Sequence, residues 1–434
     1  MDLRDDADVG TQAQIICIGD ELLTGGTVDT NSGEIGRFLW GLGIDVERAL
    51  SVADSIPAVV RALRSLEGID LCVMTGGLGP TGDDLTSAAV AMAAGVRCER
   101  SEAAMAAVAG ALARRGHELD AIQARQADVP AGARLIENSQ GIAPGFSLEI
   151  GGSLVIVLPG VPAEMREMLA GPVATLLRSR WPSLPPRQVK QLRVFGLREA
   201  TVAARVETLL ETLEAPELHN IGVHYRALGP EIEITVDTNA ISAAMAEVLL
   251  QGLRDALGTA FVGDGSAGLA ARVASTLSAH GLLLATAESC TGGRVAAAMT
   301  AIAGVSACFH GGVVAYHNGI KEKILGIPAK VLETHGAVSE PVARGMAAGV
   351  RAAFEGHADL GVGITGIAGP GGGSAEKPVG TVDIAVSDAM ACEYRRFHFY
   401  GDRPTIQRAA TSWALWMVLQ RLRERGLSAA DLVD

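Results

Sequence analysis

Several things are missing from this sequence, and each absence closes off a class of protein. The six cysteines, Cys17, Cys72, Cys98, Cys290, Cys308 and Cys392, form no C-x-x-C pair. Scattered thiols of this kind point to reduced cysteines, not to a disulfide framework or a cysteine zinc site. Runs of Lys and Arg are missing too, and the formal net charge is −13. A duplex-binding protein needs a basic face, so nucleic acid is not an expected partner. No apolar run approaches the ~20 residues of a membrane span. The opening stretch MDLRDDADVG is acidic and polar, unlike a signal or transit peptide. The expectation is a cytoplasmic protein that engages neither membranes nor nucleic acid.

What is present describes a large α/β enzyme. A chain of 434 residues is too long for one ordinary core, so two or three domains are expected. Apolar residues at 48% and charged residues at 20% fit a globular protein and argue against disorder. In the first third, strand-like QIICIG (14–19), IDVERAL (44–50) and IDLCVMTGG (69–77) alternate with helical patterns at 31–43, 56–68 and 83–95. That rhythm predicts a mostly parallel sheet with helices on both faces. SLVIVLPG (153–160) reads as a further strand. The three prolines of SRWPSLPPRQ (179–188) break the pattern and place a boundary there. The domains expected are 1–180, a small α+β linking domain at 188–262, and a third α/β domain at 265–434. In the last, LLLATA (282–287), GGVVAYHNG (311–319) and LGVGITGIAGPGGG (360–373) read as strands. Two antiparallel additions follow, at 379–387 and 393–401, before a closing helix at 404–424.

Three constellations look able to carry chemistry. The first is TGGLGPTGDDLT, Thr75 to Thr86. A strand ends, Gly76, Gly77 and Gly79 turn the chain, and a helix is expected to begin at Asp83 and Asp84. A helix N-terminus suits a phosphate, but two carboxylates would repel it. A divalent cation bridging Asp83 or Asp84 to phosphate oxygens resolves that conflict. Asp20 ends the first segment and Asp54 follows the third, so both are expected near the same sheet edge. The plainer alternative is helix capping for the aspartates at 83 and 84, and turn formation for those at 20 and 54.

The second constellation is AESCTGG, Ala287 to Gly293. Ser289 stands on a strand-to-helix turn, and Gly292 and Gly293 let main-chain N–H groups approach a substrate. A serine hydroxyl needs a base, and the nearest plausible one is Lys321 in YHNGIK (316–321). Thr291 is a rival nucleophile, and a simple helix entry is the plain alternative. The third is TGIAGPGGGS, Thr365 to Ser374. Such a loop is suited to cradling an anionic or planar ligand but lacks the Walker spacing. Arg403, in GDR (401–403), is placed to grip a phosphate.

Taken together, these motifs resemble the CinA family. Thr75–Thr86, GDELLTGGTVDTNS (19–32) and VLPGVPAEM (157–165) look like its N-terminal domain, which is similar to MogA/MoaB-like molybdopterin-binding domains. Ala287–Gly293, GGVVAYHNGIKEKILG (311–326), HGAVSE (335–340), Thr365–Gly373, EKPVGTV (376–382) and GDR resemble its C-terminal nicotinamide mononucleotide deamidase domain. The resemblance implies an N-terminal ADP-ribose pyrophosphatase dependent on a divalent metal (Mg2+, Mn2+ or Co2+), often aided by potassium. It implies a KH-like middle domain, a cofactor-free C-terminal amidohydrolase and a homodimer. It places Ser289 on the nucleophile, with Thr291, Tyr316 and Lys321 around it, Thr365, Gly366 and Gly369 in the substrate loop and Arg403 near the phosphate. Asp84 and Asp54 fall on acidic positions that the molybdopterin-binding relatives use. Two departures stand out: IQARQADVP (122–130) carries Arg125 where the family has lysine, and His317 replaces a serine. Two further readings remain. The N-terminal domain is a pterin- or nucleotide-binding module without turnover, or the chain is an interaction protein of DNA uptake or damage response, which the acidic charge disfavours.

Overall fold

The strongest local signals in the chain are short runs of branched apolar residues ending in glycine, and these runs form the centres of two sheets. The computed structural model describes residues 11–428 apart from 214, 220 and 355–357. The acidic start MDLRDDADVG falls outside them. The chain folds into two compact units, Met1–Gln188 and Val189–Asp434.

The first unit holds a six-stranded sheet in the order Asp45–Val52, Gln12–Ile18, Leu71–Thr75, Ser153–Leu158, Gly145–Ile150, Arg134–Ile136. The first four strands run parallel and the last two are antiparallel. Every residue of Leu71–Thr75 and of Ser153–Leu158 is buried, as expected for central strands covered on both faces. One face packs against Ile35, Leu39 and Met165, the other against Val59, Leu63 and Val108. The carboxyl ends of the parallel strands therefore share one edge, the place where open α/β sheets bind ligands.

The second unit contains two sheets. Val223–Leu228, Glu231–Asp237, Val189–Phe195 and Phe261–Asp264 form an antiparallel four-stranded sheet. The helices Glu199–Leu213 and Ala243–Leu257 cover it through Val202, Val206, Leu250 and Leu253. The other sheet runs Phe309–Val314, Leu284–Glu288, Leu360–Gly366, Thr381–Ser387, Cys392–His398, with its first three strands parallel. The predicted antiparallel additions and closing helix are present, the latter as Arg403–Glu424. Glycine shapes this sheet directly. A Cβ on Gly361 would run into the Ala347 carbonyl, and one on Gly363 into that of Ala343. The helix Glu340–Ala352 rests its main chain almost on the strand because those side chains are missing.

Two local expectations are corrected. The helix after the first glycine turn begins at Thr86, not at Asp83 and Asp84. The strand read at 311–319 is Phe309–Val314; the chain then leaves the sheet and opens the helix Asn318–Lys323. His317 caps that helix, its Nδ1 accepting the Gly319 N–H at 3.1 Å. Among the described residues, no helix is long and apolar enough to cross a membrane.

Candidate functional site

At the carboxyl edge of the first sheet lies a cavity of about 500 Å³, lined among others by Glu21, Asp54, Gly76, Gly77, Asp83 and Asp84. The strand Leu71–Thr75 ends in two glycines with positive φ, 108° and 66°. A Cβ on Gly76 would strike the Ile18 carbonyl, and one on Gly77 the Thr86 hydroxyl. Thr86 closes the turn by donating to the Gly76 carbonyl at 2.9 Å. Asp84 acts on its own loop. Its carboxylate accepts the N–H groups of Gly79 (2.7 Å) and Thr81 (2.8 Å) and lies 2.6 Å from the Thr81 hydroxyl. This explains why the helix starts late: the aspartate that sequence placed at the helix N-terminus instead knots the turn before it. The Thr81 hydroxyl also bonds Asp83, holding that exposed carboxyl below the usual aspartate range.

Asp20 and Asp54 form a reciprocal clasp. The Asp20 N–H donates to the Asp54 carboxylate at 2.9 Å, and the Asp54 N–H to the Asp20 carboxylate at 3.2 Å. Asp54 faces the cavity while Asp20 stays out of its lining, where its neighbour Glu21 takes that place. Burial raises Asp54 above the ordinary aspartate value. The bond from Asp20 opposes this, and the charges of Asp20, Glu21 and Asp83 add to the rise. Arg115 is the cationic side chain in the lining, held by the carbonyls of Ala111 and Gly141. Glu164 enters from a distant helix and is fixed by Asn138 at 2.8 Å. Glu21 belongs to the Gly19-Asp20-Glu21 turn expected at this edge, whereas Arg115 and Glu164, from elements far along the chain, were not singled out by sequence reasoning. Gln126 does reach the lining, whereas Arg125 is absent from it. Among the described residues, no group of three or more His, Cys, Asp and Glu is arranged to hold a metal ion.

In the second unit the strand Leu284–Glu288 delivers Ser289 to a tight turn that leads into the helix Arg294–Thr300. Lys321 arrives from the short helix Asn318–Lys323 with its side chain buried. Its Nζ lies 3.3 Å from Ser289 Oγ and donates to the carbonyls of Ala315 (2.7 Å) and Tyr316 (3.4 Å). No carboxylate pairs with it among the described residues, and burial lowers it from the ordinary lysine value. Ser289 itself is buried, with 9% of its surface exposed. Burial pushes the neighbouring Cys290 thiol up to about 12, which disfavours its thiolate.

The remaining expected residues fall around this pair with different degrees of commitment. Thr291 Oγ1 is fully buried and makes no hydrogen bond among the described residues. The Tyr316 hydroxyl accepts from Arg403 at 2.9 Å, and Arg403 also donates to the Gly369 carbonyl at 2.9 Å. The tyrosine ring is thus tied to the arginine, and only its carbonyl touches Lys321. Thr365 spends its hydroxyl on the Ala337 carbonyl at 2.7 Å. Gly366 still belongs to the strand, paired with Val382. Gly292 and Gly293 both have positive φ, but their N–H groups are occupied, by the Ser289 carbonyl (3.1 Å) and the Glu288 carboxylate (3.0 Å). The N–H groups of Gly292 and Gly293 themselves are therefore not free donors. Sequence reasoning passed over Glu288. Its buried carboxylate also accepts the N–H groups of Val295 (3.1 Å) and Ala296 (2.8 Å), satisfying the first turn of the helix behind Ser289.

Comparison with known proteins gives matches at both ends of the chain. Residues 14–179 match a family described as a probable molybdopterin binding domain, and residues 266–422 match the CinA C-terminal domain. A CinA-like protein of Geobacter sp. (strain M21) is 42% identical over 91% of this chain and 94% of its own length. One from Anaeromyxobacter dehalogenans (strain 2CP-C) is 40% identical over 95% of this chain and all of its own. Among solved structures, the competence/damage inducible protein CihA of Agrobacterium tumefaciens is 42% identical. It covers 35% of this chain and 92% of its own, with a TM-score of 0.34.

Proposed function

The chain belongs to the CinA family, and on that premise we propose that its C-terminal part is a serine amidohydrolase converting nicotinamide mononucleotide to nicotinate mononucleotide and ammonia. One observation carries this reading: a buried lysine amine without an acidic partner among the described residues stands 3.3 Å from a serine hydroxyl on a strand-to-helix turn. Neutral Lys321 accepts the proton of Ser289 as Oγ bonds to the carboxamide carbon. The negative charge passes to the carboxamide oxygen, for which the N–H groups of Cys290 and Thr291, taken by no main-chain acceptor among the described residues, are donors in the turn. Lys321 then returns the proton to the departing nitrogen, and ammonia leaves. Water, losing a proton to the same lysine, attacks the acyl ester; the carboxylic acid departs and Ser289 is restored. Arg403, oriented by Tyr316 and Gly369, supplies the cation for the nucleotide phosphate.

For the N-terminal cavity the reading is a phosphate-bearing nucleotide or pterin ligand seated on the Gly76–Gly79 turn. Binding without turnover is favoured by the use of Asp84 inside its own loop. Cleavage of ADP-ribose to AMP and ribose 5-phosphate is the stronger claim. Such cleavage would call on Mg2+, Mn2+ or Co2+; no three acidic groups among the described residues are gathered to hold an ion by themselves, so it would enter with the phosphate, Asp54, Asp83 and Glu21 being the oxygen donors in the lining, and would polarise the phosphate oxygens.

The test is ammonia release from nicotinamide mononucleotide by Ser289→Ala, expected to fall by about 10³-fold or more. Full activity in that variant, or full activity lost only in Thr291→Ala, overturns the assignment. Titrating ADP-ribose under each of the three metals, with AMP as the readout, separates hydrolysis from binding alone.

A further inference from the structure

A second cavity in the C-terminal unit, about 460 Å³, shares no lining residue with the Ser289 group. Its apolar wall is Leu228 and Pro230 from a hairpin turn of the four-stranded sheet, with Ala297 opposite. Its polar side is Arg294, Arg408 and Ser412. The two sides are held together by contacts outside the lining. The Phe195 ring lies 4.9 Å from that of Trp413 and 4.8 Å from that of Trp416 on the closing helix, and Arg423 donates to the carbonyls of Phe261 and Val262, both at 2.8 Å. The cavity is a gap between fixed walls.

Two features mark it as a ligand site. Arg294 and Arg408 form no ion pair among the described residues, in a chain whose net charge is −13. No carboxylate among the described residues lines the cavity. Asp402, which acts on Arg408 through its charge, is engaged by the Thr405 N–H at 2.9 Å as the helix cap. Arg294 is also oriented. Its Nε donates to Gln407 Oε1 at 3.2 Å, and Gln407 in turn donates to the Cys290 carbonyl at 2.7 Å. That arrangement leaves the terminal guanidinium nitrogens to a ligand and reduces the entropy lost on binding. Arg408 is steadied by the Thr405 hydroxyl at 3.0 Å.

We propose that this cavity binds a small phosphate monoester carrying an apolar or aromatic body, the phosphate gripped by Arg294 and Arg408 and the body laid against Leu228, Pro230 and Ala297. The site is separate from the Ser289 group, and its test reads binding, so it stands or falls independently of ammonia release.

Phenyl phosphate titrated into the full chain by calorimetry is the probe. One class of sites is expected to disappear in Arg294→Ala/Arg408→Ala and to persist in Arg403→Ala. Gln407→Leu should weaken the same site, and inorganic phosphate should bind it at least tenfold more weakly than the ester. Ala297→Trp, which fills the cavity with both arginines in place, should abolish it while the melting temperature confirms the fold. No binding to the wild-type chain, an unchanged number of sites in either filled or arginine-free variants, or loss confined to Arg403→Ala overturns the proposal.

Discussion

In the proposed mechanism, Lys321 sets the pH at which the Ser289 turn can act. An ammonium cannot take a proton, so only the neutral amine serves as base. Burial favours that neutral form and shifts titration downward. The neutral fraction at any given pH is therefore larger than for an exposed lysine. The expected profile of kcat/KM for ammonia release rises with pH along a limb lying below ~10.4, where an ordinary lysine titrates. A limb at or above that value would show that another group is the base. Lys321→Arg keeps the charge but never becomes neutral, and is expected to lose about 10²-fold or more at every pH tested. The same residue affects stability in a defined direction. Its folded value lies below its unfolded one, so the unfolded chain binds more protons in the interval between them, and stability climbs with pH across that window.

At the scale of elements, the turn is built from its neighbours. The first turn of Arg294–Thr300 has no side-chain cap at its start, and three N–H groups there are met by the Glu288 carboxylate. Glu288→Ala strands those donors beside the core, and a loss of about 2–4 kcal/mol is expected from chemical denaturation. Less than about 0.5 kcal/mol would show that the carboxylate is dispensable. Glu288 also shows why sequence reading reached only part of the site. In AESCTGG the eye goes to the serine and the glycines, whereas the glutamate is the residue that fixes the turn, through contacts five to eight positions on. The parallel strands were legible because LCVMT and SLVIVL are unbroken apolar runs that only a doubly covered strand explains. Arg134–Ile136 and Gly145–Ile150 were not, RLI being only three residues long and GFSLEI mixing polar with apolar positions. Asp84 sat at an expected N-cap position but bonds backward, a choice between two local hydrogen-bond patterns that composition does not decide. The Lys321–Ser289 pair was legible because few other bases exist near that motif; the tie between Tyr316 and Arg403, 87 positions apart, depends on tertiary placement.

Across the whole molecule, one device appears in two different sheets: a central strand runs out into glycines with positive φ, and the polar groups gather where it ends. The chemistry at the two ends differs. Around Gly76 the cavity is dominated by carboxylates, and any negatively charged ligand there must be met by Arg115 or by a cation. Around Ser289 stands a lysine without a carboxylate partner among the described residues, and the mechanism proposed for it uses no ion. The two reactions should therefore respond separately to metal removal. A chelator added to the purified chain is expected to leave ammonia release from nicotinamide mononucleotide unchanged; if the N-terminal cavity does cleave ADP-ribose, the chelator should stop AMP formation, and readdition of Mn2+ or Co2+ should restore that reaction alone. Asp54→Asn, which reduces the charge on the acidic rim while leaving the second unit untouched, should mimic the chelator. If the chelator also halted ammonia release, the ion-independent lysine mechanism would have to be abandoned. If AMP formed equally well with and without chelator, the carboxylate rim would have no role in holding a cation.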